Sequence, residues 1–119
     1  MSDKVVSSIC MELNTSIEKY EKYKYAGPLI KHDHYDIIEE IVDYRDDIHE
    51  YLMELKDLKV KTDTAVIRKN DLDWQAWLAA NKQDGFELMD LNRNEIPRYK
   101  WWYWIDVLDE LTDEQKSTI

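Results

Sequence analysis

The stretch from Asp36 to Leu58 reads DIIEEIVDYRDDIHEYLMELKDL, and its pattern decides what the rest of the chain can be. Ile37, Ile41, Tyr44, Ile48, Tyr51, Leu55 and Leu58 recur in steps of four and three. So do Asp36, Glu40, Asp43, Asp47, Glu50, Glu54 and Asp57. At about 100° per residue, each row keeps to one side of a helix, with the two rows roughly 100° apart. The apolar row predicts a buried seam. The acidic row predicts a ribbon of carboxylates about 32 Å long, at about 1.5 Å rise per residue.

Nothing on this helix neutralises the ribbon. Its basic residues are Arg45 and Lys56. The neighbours three and four positions from Arg45 are Ile41, Val42, Ile48 and His49, and those of Lys56 are Leu52, Met53, Lys59 and Val60. Each like-charge neighbour along the row costs a few tenths of a kcal/mol. Each buried seam residue returns about 1.5–3 kcal/mol before entropy is counted. Burial therefore wins, and the helix forms in spite of the repulsion. A carboxylate surface kept under those conditions points to a cation, either a basic protein or a metal ion.

The whole chain sets the outer bounds. Its 119 residues make one domain, 1–119, large enough for a real core. It carries 26 acidic and 16 basic residues, a net charge of −10, which opposes direct binding to nucleic acid or to an anionic membrane. Five Trp, eight Tyr and one Phe exclude a disordered acidic tail, and two Gly and two Pro favour helices over turns. The expected fold is mostly α, about four helices, allowing a short strand or hairpin near 59–68 and 86–91. Cys10 is the single cysteine, so no intrachain disulfide can form, and its apolar neighbours predict an inert thiol. There is no basic region followed by an apolar one at the start, and the longest apolar runs, such as Trp101–Ile105, are too short to span a bilayer. A cytoplasmic location is the expectation.

Outward from the central stretch, Ser2 or Asp3 caps a first helix with the face Val6, Ile9, Cys10, Leu13, Ile17 and Tyr20, ended by Gly27-Pro28. It should pack antiparallel on the central helix. His32, Asp33, His34 and Asp36 cluster between the two, without the i,i+4 histidine pair of a helical metal site. Val60, Thr62 and Thr64 alternate as in a strand, while Asp63 or Thr64 could equally cap a turn through Val66 and Ile67. Asn70 or Asp71 is read as the cap of a third helix carrying Trp74, Trp77 and Leu78. A last helix, Pro97 to about Leu111, should bury Trp101, Trp104, Ile105, Leu108 and Leu111 and leave Trp102 and Tyr103 partly exposed as interface anchors. Thr112-Asp113-Glu114-Gln115 fits a capping box for a final turn.

Phe86 to Glu95 is the most motif-like segment. Asp90, Asn92 and Asn94 fall at the first, third and fifth places of what resembles the start of an EF-hand calcium loop. The resemblance covers about a tenth of the chain. It departs from the family where the sixth-place glycine is Glu95, the twelfth-place glutamate is Trp101, and Pro97 intrudes. What it implies is calcium held on a non-standard set of oxygens from Asp84, Asp90, Asn92, Asn94 and Glu95.

No catalytic constellation is complete. There is no Cys–His pair with a third member and no glycine loop for a phosphate. The leading expectation is a non-enzymatic, cofactor-free binding protein that occupies a basic, nucleic-acid-binding surface of a partner such as a nuclease. In composition and charge pattern it looks like the anti-restriction, anti-CRISPR and immunity proteins that mimic nucleic acid. The expected contact residues are Asp36, Glu40, Asp43, Asp47, Glu50, Glu54 and Asp57, with Trp102, Tyr103, Asp106, Asp109 and Glu110. One ribbon charge falls every ~5.3 Å, against one per ~3.4 Å along a DNA strand, so a mimic needs a second row beside the first. The alternative is a calcium-binding or calcium-sensing protein acting through the 84–95 loop.

Overall fold

Apolar rows at helical spacing have to find partners, and the three long helices do so against one another. The computed structural model describes residues 3–24, 35–80 and 95–119. Helix α1 is Asp3–Lys24, α2 is Tyr35–Asp57 and α3 is Ala65–Ala80. Two short 3-10 helices follow, η1 (Trp101–Tyr103) and η2 (Ile105–Glu110), and then a one-turn helix α4, Asp113–Lys116. Among the described residues there is no strand, so the region 59–68 is a turn, a short irregular link and the start of α3, while 86–91 lies outside the described residues.

Helices α1 and α2 run antiparallel. Lys19 lies over the Tyr44 ring, 5.6 Å from its centroid, while Glu12 accepts a hydrogen bond from Tyr51. Rising numbers on one helix thus meet falling numbers on the other. Leu13 and Tyr20 of α1 are buried, and Val6, Ile9, Cys10 and Ile17 are half-buried against the same core.

On α2 the buried face is wider than the expected seam. Ile41, Ile48 and Leu55 are buried, but so are Val42, Arg45, His49 and Leu52, while Tyr44, Tyr51 and Leu58 are half-buried. The centre of burial therefore falls on the row 41, 45, 48, 52 and 55. Seen down the axis, the ribbon points almost directly away from it.

The end of α2 is a Schellman turn. Val60 N–H bonds Leu55 O and Lys59 N–H bonds Lys56 O, both at 2.9 Å. Lys59 takes the left-handed conformation, φ 59°, that glycine usually supplies. Thr64 O accepts the first α-helical bond of α3, from Arg68 N–H, and Asp63 Oδ1 accepts from Ala65 N–H. The helix then runs without interruption through Asn70 and Asp71.

Those two residues are thus not a cap, which corrects the sequence reading. Ile67, Asp71, Trp74 and Leu78 step 4, 3, 4 and are all buried, so Asp71 sits on the core seam of α3 as Arg45 sits on that of α2. The two seams meet there. Arg45 Nε bonds Asp71 Oδ1 at 2.8 Å and Nη2 bonds Oδ2 at 3.0 Å, with Tyr20 Oη donating to Oδ1 at 2.8 Å. Burial pushes the Asp71 carboxyl above its ordinary pKa, against the opposing pull of the Arg45 charge and the bonds from Arg45 and Tyr20. Asn70, beside it, donates to Glu21 at 3.1 Å.

The segment 97–111 is not one α-helix. It breaks at Trp104 (φ −117°, ψ 31°) and again at Val107 (φ −130°, ψ 33°). An α-helix would spread successive rings around its circumference. Two short 3-10 turns with a break change direction instead, and bring Trp101, Trp102, Trp104, Ile105 and Leu108 all inward. Thr112 caps α4 in a reciprocal capping box with Gln115, as its sequence requires.

Candidate functional site

The ribbon is where its spacing places it. Glu40, Asp43, Asp47, Glu50, Glu54 and Asp57 are all exposed along α2. Asp36 lies in the first turn of the same helix. The neighbouring elements border the ribbon on both sides. On the α1 side stand Tyr44, Tyr51 and Lys19. On the η1 side stand Asp46, Lys100 and Tyr103.

Asp46, half-buried, was not part of the expected ribbon, yet it organises that edge. It accepts from Trp102 Nε1 at 3.1 Å and from the Tyr103 hydroxyl, and Lys100 Nζ lies 3.4 Å from it. Lys100 also reaches Glu50 at 3.3 Å. The carboxylates crowd one another. Burial first, and the Asp46 charge second, raise the pKa of Asp43. Asp47 is raised by burial and by Asp46, Asp43 and Glu50, with Lys19 opposing. Burial and Asp46 push the Tyr103 hydroxyl well above its ordinary value, so it stays a donor. For Lys100, burial acts to lower the pKa, but Asp46 and Glu50 outweigh it and raise it. Four carboxylates, Asp43, Asp46, Asp47 and Glu50, thus share about 10.5 Å of helix axis, one per ~3.5 Å.

The other expected contact residues divide. Tyr103 is half-buried at the edge of the cluster. Trp102 is fully buried, which corrects its assignment as an exposed anchor. Its ring lies against the Arg45 guanidinium at 4.4 Å and the His49 ring at 5.1 Å, so the expected anchor holds the core together. Asp109 and Glu110 are exposed on η2, which packs chiefly on α3. Asp109 lines a cavity of about 200 Å³ there, with Gln75, Leu78, Ala79, Ile105, Leu108 and Lys116. Asp106 belongs to the same 3-10 helix.

Of the expected calcium ligands, Asp84, Asp90, Asn92 and Asn94 lie outside the described residues, as do His32, Asp33 and His34. Glu95 is exposed. Among the described residues no three His, Cys, Asp or Glu side chains come together as a metal-ion site, and no described helix is long and apolar enough to cross a membrane. Comparison with protein-family models, with curated proteins and with solved structures finds no match.

The buried pair left only half a signal in the sequence: Arg45 has no acidic neighbour three or four positions away on α2, but Asp71 has Arg68 three positions before it on α3. Asp46 had no such signal. It lies off both rows, and its importance comes from Lys100, Trp102 and Tyr103, more than fifty residues away in the chain.

Proposed function

We propose that the protein is a non-enzymatic binding protein whose α2 ribbon occupies a basic, nucleic-acid-binding surface of a partner protein, in the manner of an inhibitor that mimics nucleic acid. The observation that carries this reading is the crowding of Asp43, Asp46, Asp47 and Glu50 on the outward side of α2. Burial first, and the neighbouring carboxylates second, raise the pKa values of Asp43 and Asp47, so the ionised cluster gives up stability that a cationic partner would recover. Within that cluster the spacing approaches the ~3.4 Å of a nucleic acid strand, which a single heptad row could not supply. Tyr103, held as a donor beside Asp46, adds a rim group suited to an interface. Asp109 and Glu110 ride chiefly with α3, so the reading rests on α2 and not on a second acidic row from η2.

The test compares the immobilised chain with the variant Glu40→Gln, Asp43→Asn, Asp47→Asn, Glu50→Gln. Each is exposed to an extract of the source cells and eluted with salt or with duplex DNA. Basic proteins should be retained by the unmodified chain, released by duplex DNA, and lost from the variant. The same proteins on both surfaces, or retention that duplex DNA does not disturb, would show the reading to be wrong.

A further inference from the structure

Side chains of α3, η2 and α4 meet around the cavity of about 200 Å³. Leu78, Ile105 and Leu108, all buried, supply its apolar wall, with Ala79 beside them. Gln75, Asp109 and Lys116 supply its polar part. Local sequence explains the gap. The helix η2, which packs on α3, is broken at Val107, and Ala79 offers one methyl where a longer side chain would take up space.

Volume narrows the class of occupant. An apolar cavity of about 150 Å³ can hold one benzene ring, whereas sites for drug-sized molecules and cofactors measure about 300–1,000 Å³. A nucleotide or a flavin is therefore too large, and a single ring fits. Charge narrows the class further. Asp109 and Lys116 carry opposite signs at the same cavity, so neither an anion nor a cation is favoured over a neutral molecule. Hydrogen bonding adds one requirement. Gln75 Nε2 donates to Lys116 O at 2.9 Å, and a main-chain oxygen only accepts, so the amide cannot be turned over. Its Oε1 is left as an acceptor, and among the described residues no donor bonds it. Water against the apolar wall finds few partners and is readily displaced.

We propose that this cavity binds a small, neutral, single-ring aromatic molecule carrying one O–H or N–H donor, of the phenol class. The ring lies against Leu78, Ile105 and Leu108, and the donor bonds Gln75 Oε1. The site shares no residue with the α2 ribbon, so it stands whether or not the ribbon meets a basic partner.

Phenol and toluene are the two probes, since they share a ring and only phenol has a donor. Each is titrated into the full chain while the methyl signals of Leu78, Ala79, Ile105 and Leu108 are followed by nuclear magnetic resonance. Phenol should shift these four sets of signals saturably and leave those of Leu13 and Ile17 on α1 in place. In Gln75→Met, which keeps a side chain of similar length without the acceptor, the ratio of phenol to toluene affinity should fall by about two- to tenfold, the worth of one hydrogen bond. Ala79→Leu fills the cavity from the α3 side, and should keep the helical circular dichroism and lose both probes. No saturable shift at the four residues, or shifts spread over the apolar residues of the whole molecule, would overturn the proposal. So would a ratio unchanged in Gln75→Met, or binding retained in Ala79→Leu. If Ala79→Leu fails to fold, the titration of the unmodified chain and the ratio in Gln75→Met decide between the same two answers.

Discussion

Arg45 and Asp71 show how a single buried pair fixes the way two helices meet. Both side chains have no measurable exposure, 0%, and two parallel N–H···O bonds join them. A pair of this kind adds little net stability, because desolvation offsets most of the attraction, but losing one partner strands the other charge. Its use is register: sliding α3 by one turn against α2 would separate the charges and also break the Tyr20 bond. Asp71→Ala is therefore expected to cost about 3–5 kcal/mol in urea unfolding. The double variant Arg45→Met, Asp71→Leu should recover most of that loss, and Tyr20→Phe should cost only about 1 kcal/mol. A double variant as unstable as Asp71→Ala would mean that the site needs the ions for stability itself. The sequence hid this pair because Asn and Asp are the usual helix caps, and an acid on a seam looks like a cap until its partner on another helix is known.

Elements were legible in proportion to the regularity of their spacing. The 4,3 rows of α2 predicted its bounds to within a residue or so, its exposed ribbon and its antiparallel neighbour, because burial of a regular row outweighs everything local. The ring-rich segment from Trp101 was not legible as two 3-10 turns. Its shape follows from which cavities between α2 and α3 the rings fill, and no local pattern encodes that. The end of α2 lies between these cases. The two Schellman bonds were not foreseen, because the left-handed position carries Lys59 where glycine would have marked it. Holding a side chain in that conformation costs about 1–2 kcal/mol, and glycine would give back part of it through its freer unfolded chain. Lys59→Gly is accordingly expected to raise stability by about 0.5–1 kcal/mol, read as a higher urea midpoint with the same slope. A fall in the midpoint would show that the Lys59 side chain contributes a contact worth more than the strain.

Across the whole molecule, charge and burial are arranged against each other. The core sets Trp101 and Trp102 against the Arg45 guanidinium of one ion pair, and the outer face of α2 carries carboxylates that repel. The variant with Gln or Asn at positions 40, 43, 47 and 50 removes eight like-charge pairs three or four positions apart, at a few tenths of a kcal/mol each before screening, and gives up the Lys100–Glu50 ion pair. It should be more stable than the parent at neutral pH by about 1 kcal/mol, or roughly 3–5 °C in melting temperature. The pH dependence gives the sign independently. Asp43 and Asp47 have folded pKa values above the ordinary aspartate value of 3.8, so between that value and the raised ones the folded state binds more protons than the unfolded chain. Their contribution to stability thus improves as pH falls from neutral toward 3.8, and is lost again as pH rises through the folded values. In the variant this acid-side gain should shrink, because the two groups that carry it are amides. Melting curves of both proteins across that range, at low and at high salt, decide the matter. A variant less stable than the parent at neutral pH would mean that the ribbon supports the fold. A more stable variant with no acid-side gain would mean that α2 holds its carboxylates at the expense of stability, as a surface kept for a cationic partner must.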